Sequence, residues 1–117
     1  MIKVERIYNN PEGKKNDGFR ILVDGIWPRG LSKDRIKIDL WQKDIAPSTS
    51  LRKWFLHDKK KWNEFKHRYF KELDNNRESI NIILDKTNDG SVTLLYSAKD
   101  ERFNNAIALK DYLEKKN

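Results

Sequence analysis

The sequence predicts a single α/β domain over residues 1–117, built as a short, mostly parallel sheet of about three strands with helices packed on it. Two apolar runs and one ordering predict this. Ile21-Leu22-Val23 is continuous, as in a strand buried on both faces. Val92, Leu94, Leu95 and Tyr96 form a second run near the end of the chain. The segments between and after them carry apolar residues at helical spacing, so the order reads strand, strand, several helices, strand, helix.

Taken in order, Ile2 to Tyr8 opens as a strand in which Ile2 and Val4 alternate with charged residues. Asn9 to Gly18 is a polar loop holding Pro11, Gly13 and Gly18. The second strand is predicted over Phe19 to Ile26, where the proline and glycine of Trp27-Pro28-Arg29-Gly30 stop it. Ser32 is placed to cap a short helix after that turn. Ala46-Pro47-Ser48-Thr49 marks a stronger helix start ahead of Leu51, Trp54 and Phe55, and Asp58 is expected to cap the next helix. There Trp62, Phe65, Tyr69 and Leu73 follow one another at steps of three, four and four, which sets them on one inward stripe. Arg77 to Lys86 fits a helix or the first arm of a hairpin; the stretch from Asp85 to Gly90 is long for a tight turn and favours the helix. Ser91 to Ala98 is the central strand, and Asp100 to Lys115 closes the chain as an amphipathic helix through Phe103, Ala106, Ile107, Leu109 and Leu113.

Composition removes several functional classes. The chain has no cysteine, which excludes disulfides, thiolate nucleophiles and cysteine-based metal sites. Its 2 histidines, His57 and His67, stand at none of the usual ligand spacings, so no metal site is expected. Neither a dinucleotide-binding nor a phosphate-loop glycine pattern occurs, and no cofactor is expected. No apolar run approaches the roughly 18 residues of a membrane span, and the first residues lack the apolar stretch of a secretion signal. A cytoplasmic protein without membrane partners is the expectation. Charged residues make up 37% of the chain, yet 4 Trp, 5 Phe and 4 Tyr supply the large apolar bodies of a folded core.

Ligands of open α/β sheets bind beyond the carboxyl ends of the strands, and two motif clusters fall at such ends. In the first, Asp24 lies within an apolar strand and the Trp-Pro turn aims Arg29. The cluster reads either as structural, with a buried Asp24–Arg29 ion pair or an Asp24 bond to a backbone turn, or as a site in which Asp24 orients a ligand or acts as a base. Arg29 would then hold phosphate or carboxylate, with Trp27 beside it as a further ligand contact. The second cluster is Ser97, Lys99, Asp100, Asn104 and Asn105, where Lys99 and the free N–H groups of a helix start near Asp100 would attract an anion. Capping by Asp100 is the structural alternative. Asn104 and Asn105 point about 100° apart on a helix, so one orients the ligand, for which Asn104 is the candidate, and the other caps or packs. Thr49 and Arg52, at the Ser48-Thr49-Ser50 turn, are a third candidate anion site, with capping as the plain explanation. No nucleophile–base order or paired-carboxylate motif is present, so no reaction is assigned.

Net charge is +7, and the stretch from Leu51 to Lys71 carries most of it, with eight basic residues against Asp58 and Glu64. The spacing of Trp62, Phe65 and Tyr69 turns these aromatics inward, leaving an outward face of Lys60, Lys61, Arg68 and Lys71. Such a face is either simply solvated or supports weak, salt-sensitive attraction to a nucleic-acid backbone.

Three segments, Asp17 to Asp34, Asp44 to Asp58 and Val92 to Ala106, together with Trp62 to Leu73, resemble the YeaO-like family of small bacterial proteins, domain of unknown function 488. Trp27, Pro28, Trp54, Trp62 and the Asn104-Asn105 pair fall in the family's order. The resemblance implies a single α/β domain and a common site for the motif clusters, and brings no activity with it. The family usually has arginine where this chain has Gly25 and histidine where it has Phe103; the resemblance implies that any proton-transfer or metal role of that histidine is lost or relocated here.

Overall fold

The computed structural model describes residues 1–116. Four parallel strands, β1 (Ile2–Arg6), β2 (Phe19–Leu22), β3 (Leu40–Trp41) and β4 (Val92–Tyr96), lie in the order β1-β4-β2-β3. The helices are α1 (Thr49–Phe55), α2 (Trp62–Asp74), α3 (Arg77–Asp89) and α4 (Asn105–Lys116). The sheet is therefore wholly parallel and one strand larger than expected.

The period-2 alternation of strands sorts the core into two layers. Ile21, Val23, Val92, Leu94 and Tyr96 face a layer to which all four helices contribute, including Leu51, Phe65, Tyr69, Leu73, Ile80, Ile83 and Leu109. Leu22 and Leu95 point the other way, under Trp27, Leu31, Ile38 and Trp41. Every residue of β4 is buried, because it has a strand on either side and a layer on each face. Burying each large aliphatic side chain contributes roughly 1.5–3 kcal/mol. The stripe predicted on α2 buries Phe65, Tyr69 and Leu73, while Trp62 remains half-buried.

Several boundaries differ from the sequence expectation. β1 ends at Arg6, and Ile7–Asn9 turns away as a 3-10 segment. β2 ends at Leu22, because the chain to which it would pair is replaced by a side chain: Val23 N still donates to Leu95 O at 3.1 Å, but Ser97 N donates to Asp24 Oδ2 at 2.9 Å. The residues after Ser32 form a turn and no helix. Asp58 caps the 3-10 turn Lys59–Lys61, accepting from Lys60 N at 3.0 Å, and α2 starts only at Trp62. Ser48 caps α1 as its position predicted, accepting from Leu51 N at 3.2 Å. The segment predicted as helix over Arg77 to Lys86 is helix.

Tyr112, on α4, ties the helical layer together by donating to Asp74 Oδ1 at 2.7 Å. Burial first, and then this bond, pushes its phenol from 10.0 up to about 12. The folded state thus keeps the proton longer than the unfolded chain does, so this contribution is complete below pH 10 and is lost as pH rises through about 12. The stability difference between the wild type and Tyr112→Phe in urea unfolding is expected to shrink across that window; a constant difference would contradict the assignment.

Candidate functional site

Beyond the carboxyl ends of β2 and β4 lies a cavity of about 410 Å³, bounded by the Asp24–Arg29 turn, the start of α4, and α1 with the residues that follow it. Three of its sides are fixed by local chemistry. At the β2 end, Asp24 accepts from Ser97 N through Oδ2 and from Asn105 Nδ2 through Oδ1 at 3.0 Å, while its carbonyl accepts from Trp41 Nε1 at 2.8 Å. The turn that follows is closed by Trp27 Nε1 donating to Leu31 O at 2.6 Å and by Tyr8 Oη donating to Arg29 O at 2.7 Å. At the β4 end, Arg6 Nε bridges Ser97 O and Ala98 O at 3.1 and 2.8 Å, which holds the loop after the strand.

The third side is α1, anchored by α2. Glu72 accepts from both Ser48 N and Ser48 Oγ, at 2.9 and 2.6 Å, and Tyr69 Oη donates to Ile45 O at 2.6 Å. Full burial pushes the Tyr69 phenol well up, so it stays a donor. After α1 the chain reverses through two consecutive left-handed residues, Leu56 at φ 46° and His57 at φ 56°. Neither is glycine, and each costs roughly 1–2 kcal/mol in that conformation. The reversal brings His57 to the cavity wall, its ring 5.9 Å from that of Phe55.

The candidate residues separate on this frame. Asp24, Trp27, Arg29, Arg52 and Asn104 line the cavity; Lys99, Asp100 and Thr49 do not. Asp24 and Arg29 form no ion pair, because the carboxylate faces Ser97 and Asn105 while Arg29 is exposed. The helix predicted from Asp100 begins at Asn105, and its cap is Asn104, whose Oδ1 accepts from Ile107 N at 2.9 Å and whose Nδ2 donates to Asp100 O. Asp100 instead organises the loop before the helix. The backbone N–H of Phe103, and then that of Arg102, hold its carboxyl below the usual range. The roles expected of the two asparagines are exchanged: Asn104, the candidate to orient a ligand, caps the helix, and Asn105 reaches Asp24. Thr49 accepts from Arg52 Nη2 at 3.2 Å.

His57, Tyr8 and the aromatic wall of Phe55 and Phe65 were not among the candidates. Gly25 also lines the cavity, and a Cβ there would meet Ala46 Cβ at an ordinary 3.5 Å. Phe103 packs edge-on against Trp62 at 5.3 Å, so this position serves the aromatic cluster. On the basic face of α2, Lys61 Nζ donates to Trp54 O, and Arg68 both pairs with Glu64 at 2.9 Å and lies 4.1 Å over the Trp54 ring. Among the described residues no group of metal-binding side chains occurs, and no helix is long and apolar enough to cross a membrane.

A family model described as "Inactive DUF488-N3 subclade" matches residues 1–117. The chain is 39% identical over 112 residues to "Uncharacterized protein YeaO" of Escherichia coli (strain K12), covering 96% of each chain. It is 43% identical over 72 residues to "Uncharacterized protein Rv3073c" of Mycobacterium tuberculosis (strain ATCC 25618 / H37Rv), covering 62% of this chain and 59% of that one. No solved structure matches.

Proposed function

The chain belongs to the YeaO-like DUF488 family, and from that premise we propose that it is a binding domain for a small anionic ligand, a nucleotide or another phosphorylated metabolite, seated in the cavity at the strand ends. One observation carries this reading. Arg29 and Arg52 come from different segments, both are exposed, both line the same cavity, and neither joins an ion pair among the described residues. Among the described residues Asp24 is the sole carboxylate in the lining, so cations outnumber it. Guanidinium groups suit phosphate and carboxylate because they donate in a planar fork.

Binding without turnover is the form this proposal takes. The description of the matching subclade as inactive supports it. So does the lining, where among the described residues no side-chain hydrogen bond joins Ser97 or Tyr8, the hydroxyls present, to His57 or Asp24, the groups able to act as a base. The rival reading, a nucleic-acid face on Lys59 to Lys71, has weaker support, since Lys61 and Arg68 are already engaged with Trp54 and Glu64.

Calorimetric titration with nucleoside phosphates, sugar phosphates and inorganic phosphate tests the proposal. Arg29→Ala and Arg52→Ala are each expected to weaken binding by about 10-fold or more, the loss of a hydrogen bond between charged partners. The double variant is expected to lose more than either. Binding that survives the double substitution unchanged, or no binding by any of these compounds, would sink it.

A further inference from the structure

We propose that Asp24 selects the ligand by reading a planar edge with two adjacent N–H donors, the edge guanine presents at N1 and N2, while the phosphate stays at the arginines. This rests on the anion-pocket reading and adds the ligand class to it. Three elements fix Asp24, through Ser97 N after β4, Asn105 at the start of α4, and Trp41 of β3. A carboxylate accepts up to about four hydrogen bonds. The structure supplies two, one to each oxygen, so each oxygen keeps acceptor capacity in a cavity that Asp24 lines. No cation neutralises it among the described residues.

The neighbouring polar groups narrow the choice. Asn104 uses its amide within the helix cap, and the Asn105 N–H donates to Asp24 and Val23 O. Asp24 is therefore the half-buried anionic acceptor of the lining, and Arg29 and Arg52 are its exposed cationic donors. A phosphate is repelled by the carboxylate and held by the guanidiniums, which orients any ligand carrying both an anion and a donor edge. Trp27, Pro28, Pro47, Phe55 and Phe65 add aromatic and apolar surface to the same lining. Guanine sets two N–H groups side by side, one for each carboxylate oxygen. Adenine and cytosine set an amino group beside a ring acceptor, whose lone pair would face the carboxylate, and uracil places one N–H between two carbonyls. A volume of about 410 Å³ falls within the range of small-molecule pockets.

The test is titration of the wild type, Asp24→Asn and Arg29→Ala with GMP, IMP, AMP and inorganic phosphate. The wild type is expected to bind GMP about 10-fold or more tightly than AMP, with IMP, which lacks the 2-amino group, weaker than GMP. Asp24→Asn should bring GMP and AMP within about 2-fold of each other and leave phosphate binding at least as strong, because the repelling charge is gone. Arg29→Ala should weaken all four without changing their order. Equal affinity for GMP and AMP in the wild type overturns the selection by Asp24 and leaves the anion pocket standing. No binding by any of the four, phosphate included, overturns both. The wild-type comparison decides the matter by itself should Asp24→Asn fail to fold.

Discussion

Arg20→Ala is expected to destabilise the protein by about 3–5 kcal/mol, the cost of leaving one partner of a buried charge pair alone. Arg20 stands within β2, opposite Thr93 of β4, and its side chain is 1% exposed. Its Nη1 lies 3.4 Å from Asp17 Oδ2 and its Nη2 donates to Asn10 O at 2.8 Å. Burial lowers the affinity of this guanidinium for its proton, and the charge of Asp17 opposes that effect. The loop over Asn9 to Gly18 is shaped around it. A Cβ at Gly13 would collide with Arg20 Nη1, and Gly13 holds φ at +86°. Removing the guanidinium leaves the Asp17 carboxylate buried, with only Lys14 N as donor. Urea unfolding followed by tryptophan fluorescence checks the loss. Arg20→Met combined with Asp17→Asn should recover much of it, since neutral replacement of a buried pair is often tolerated. A loss below about 1 kcal/mol for Arg20→Ala would mean that the loop relaxes and rehydrates the charge.

Arg20 also marks where sequence reading stops. A charged residue beside Ile21-Leu22-Val23 carries no signal of burial in itself, and only the loop folded over it makes it interior. The apolar runs of β2 and β4 were legible because a continuous apolar run signals burial on both faces whatever packs on it. β3 was not, although Ile36, Ile38 and Leu40 alternate with polar residues, because pairing is confined to Leu40–Trp41. The turn at Asp24 to Arg29 and the loop after β4 were legible as one region, since strand ends on a parallel sheet converge. Which asparagine reaches Asp24 was not, because that follows from α4 starting at Asn105, a helix boundary later than the expected Asp100. His57 was invisible for a different reason. Leu56 and His57 carry no glycine or asparagine to announce their left-handed backbone, so the reversal that turns the histidine to the cavity arises from tertiary contacts.

Phe65→Ala is the second large effect expected, a loss of about 3–5 kcal/mol from a core aromatic and the void it leaves. Phe65 is 2% exposed and stacks on Phe55 at 4.3 Å and on Trp62 at 5.6 Å. Trp62 in turn carries Phe103, so the ring lies at the centre of a cluster joining α1, α2 and the approach to α4. Phe65→Leu retains part of the buried carbon and should lose less. Far-UV circular dichroism in urea would show both, and a change within about 1 kcal/mol for Phe65→Ala would mean that the wall collapses onto the missing ring. The same residue lines the cavity, as does Phe55 at the end of the helix that presents Arg52. The aromatic wall of the cavity is thus part of the core, and Phe65→Ala should weaken phosphate binding along with folding. Arg20→Ala lowers stability from a position that does not line the cavity, so at temperatures where it remains folded it should bind as the wild type does. If both variants lost binding in proportion to stability, affinity would be reporting only the folded fraction. Loss of binding in folded Phe65→Ala alone places the aromatic wall in the recognition of the ligand.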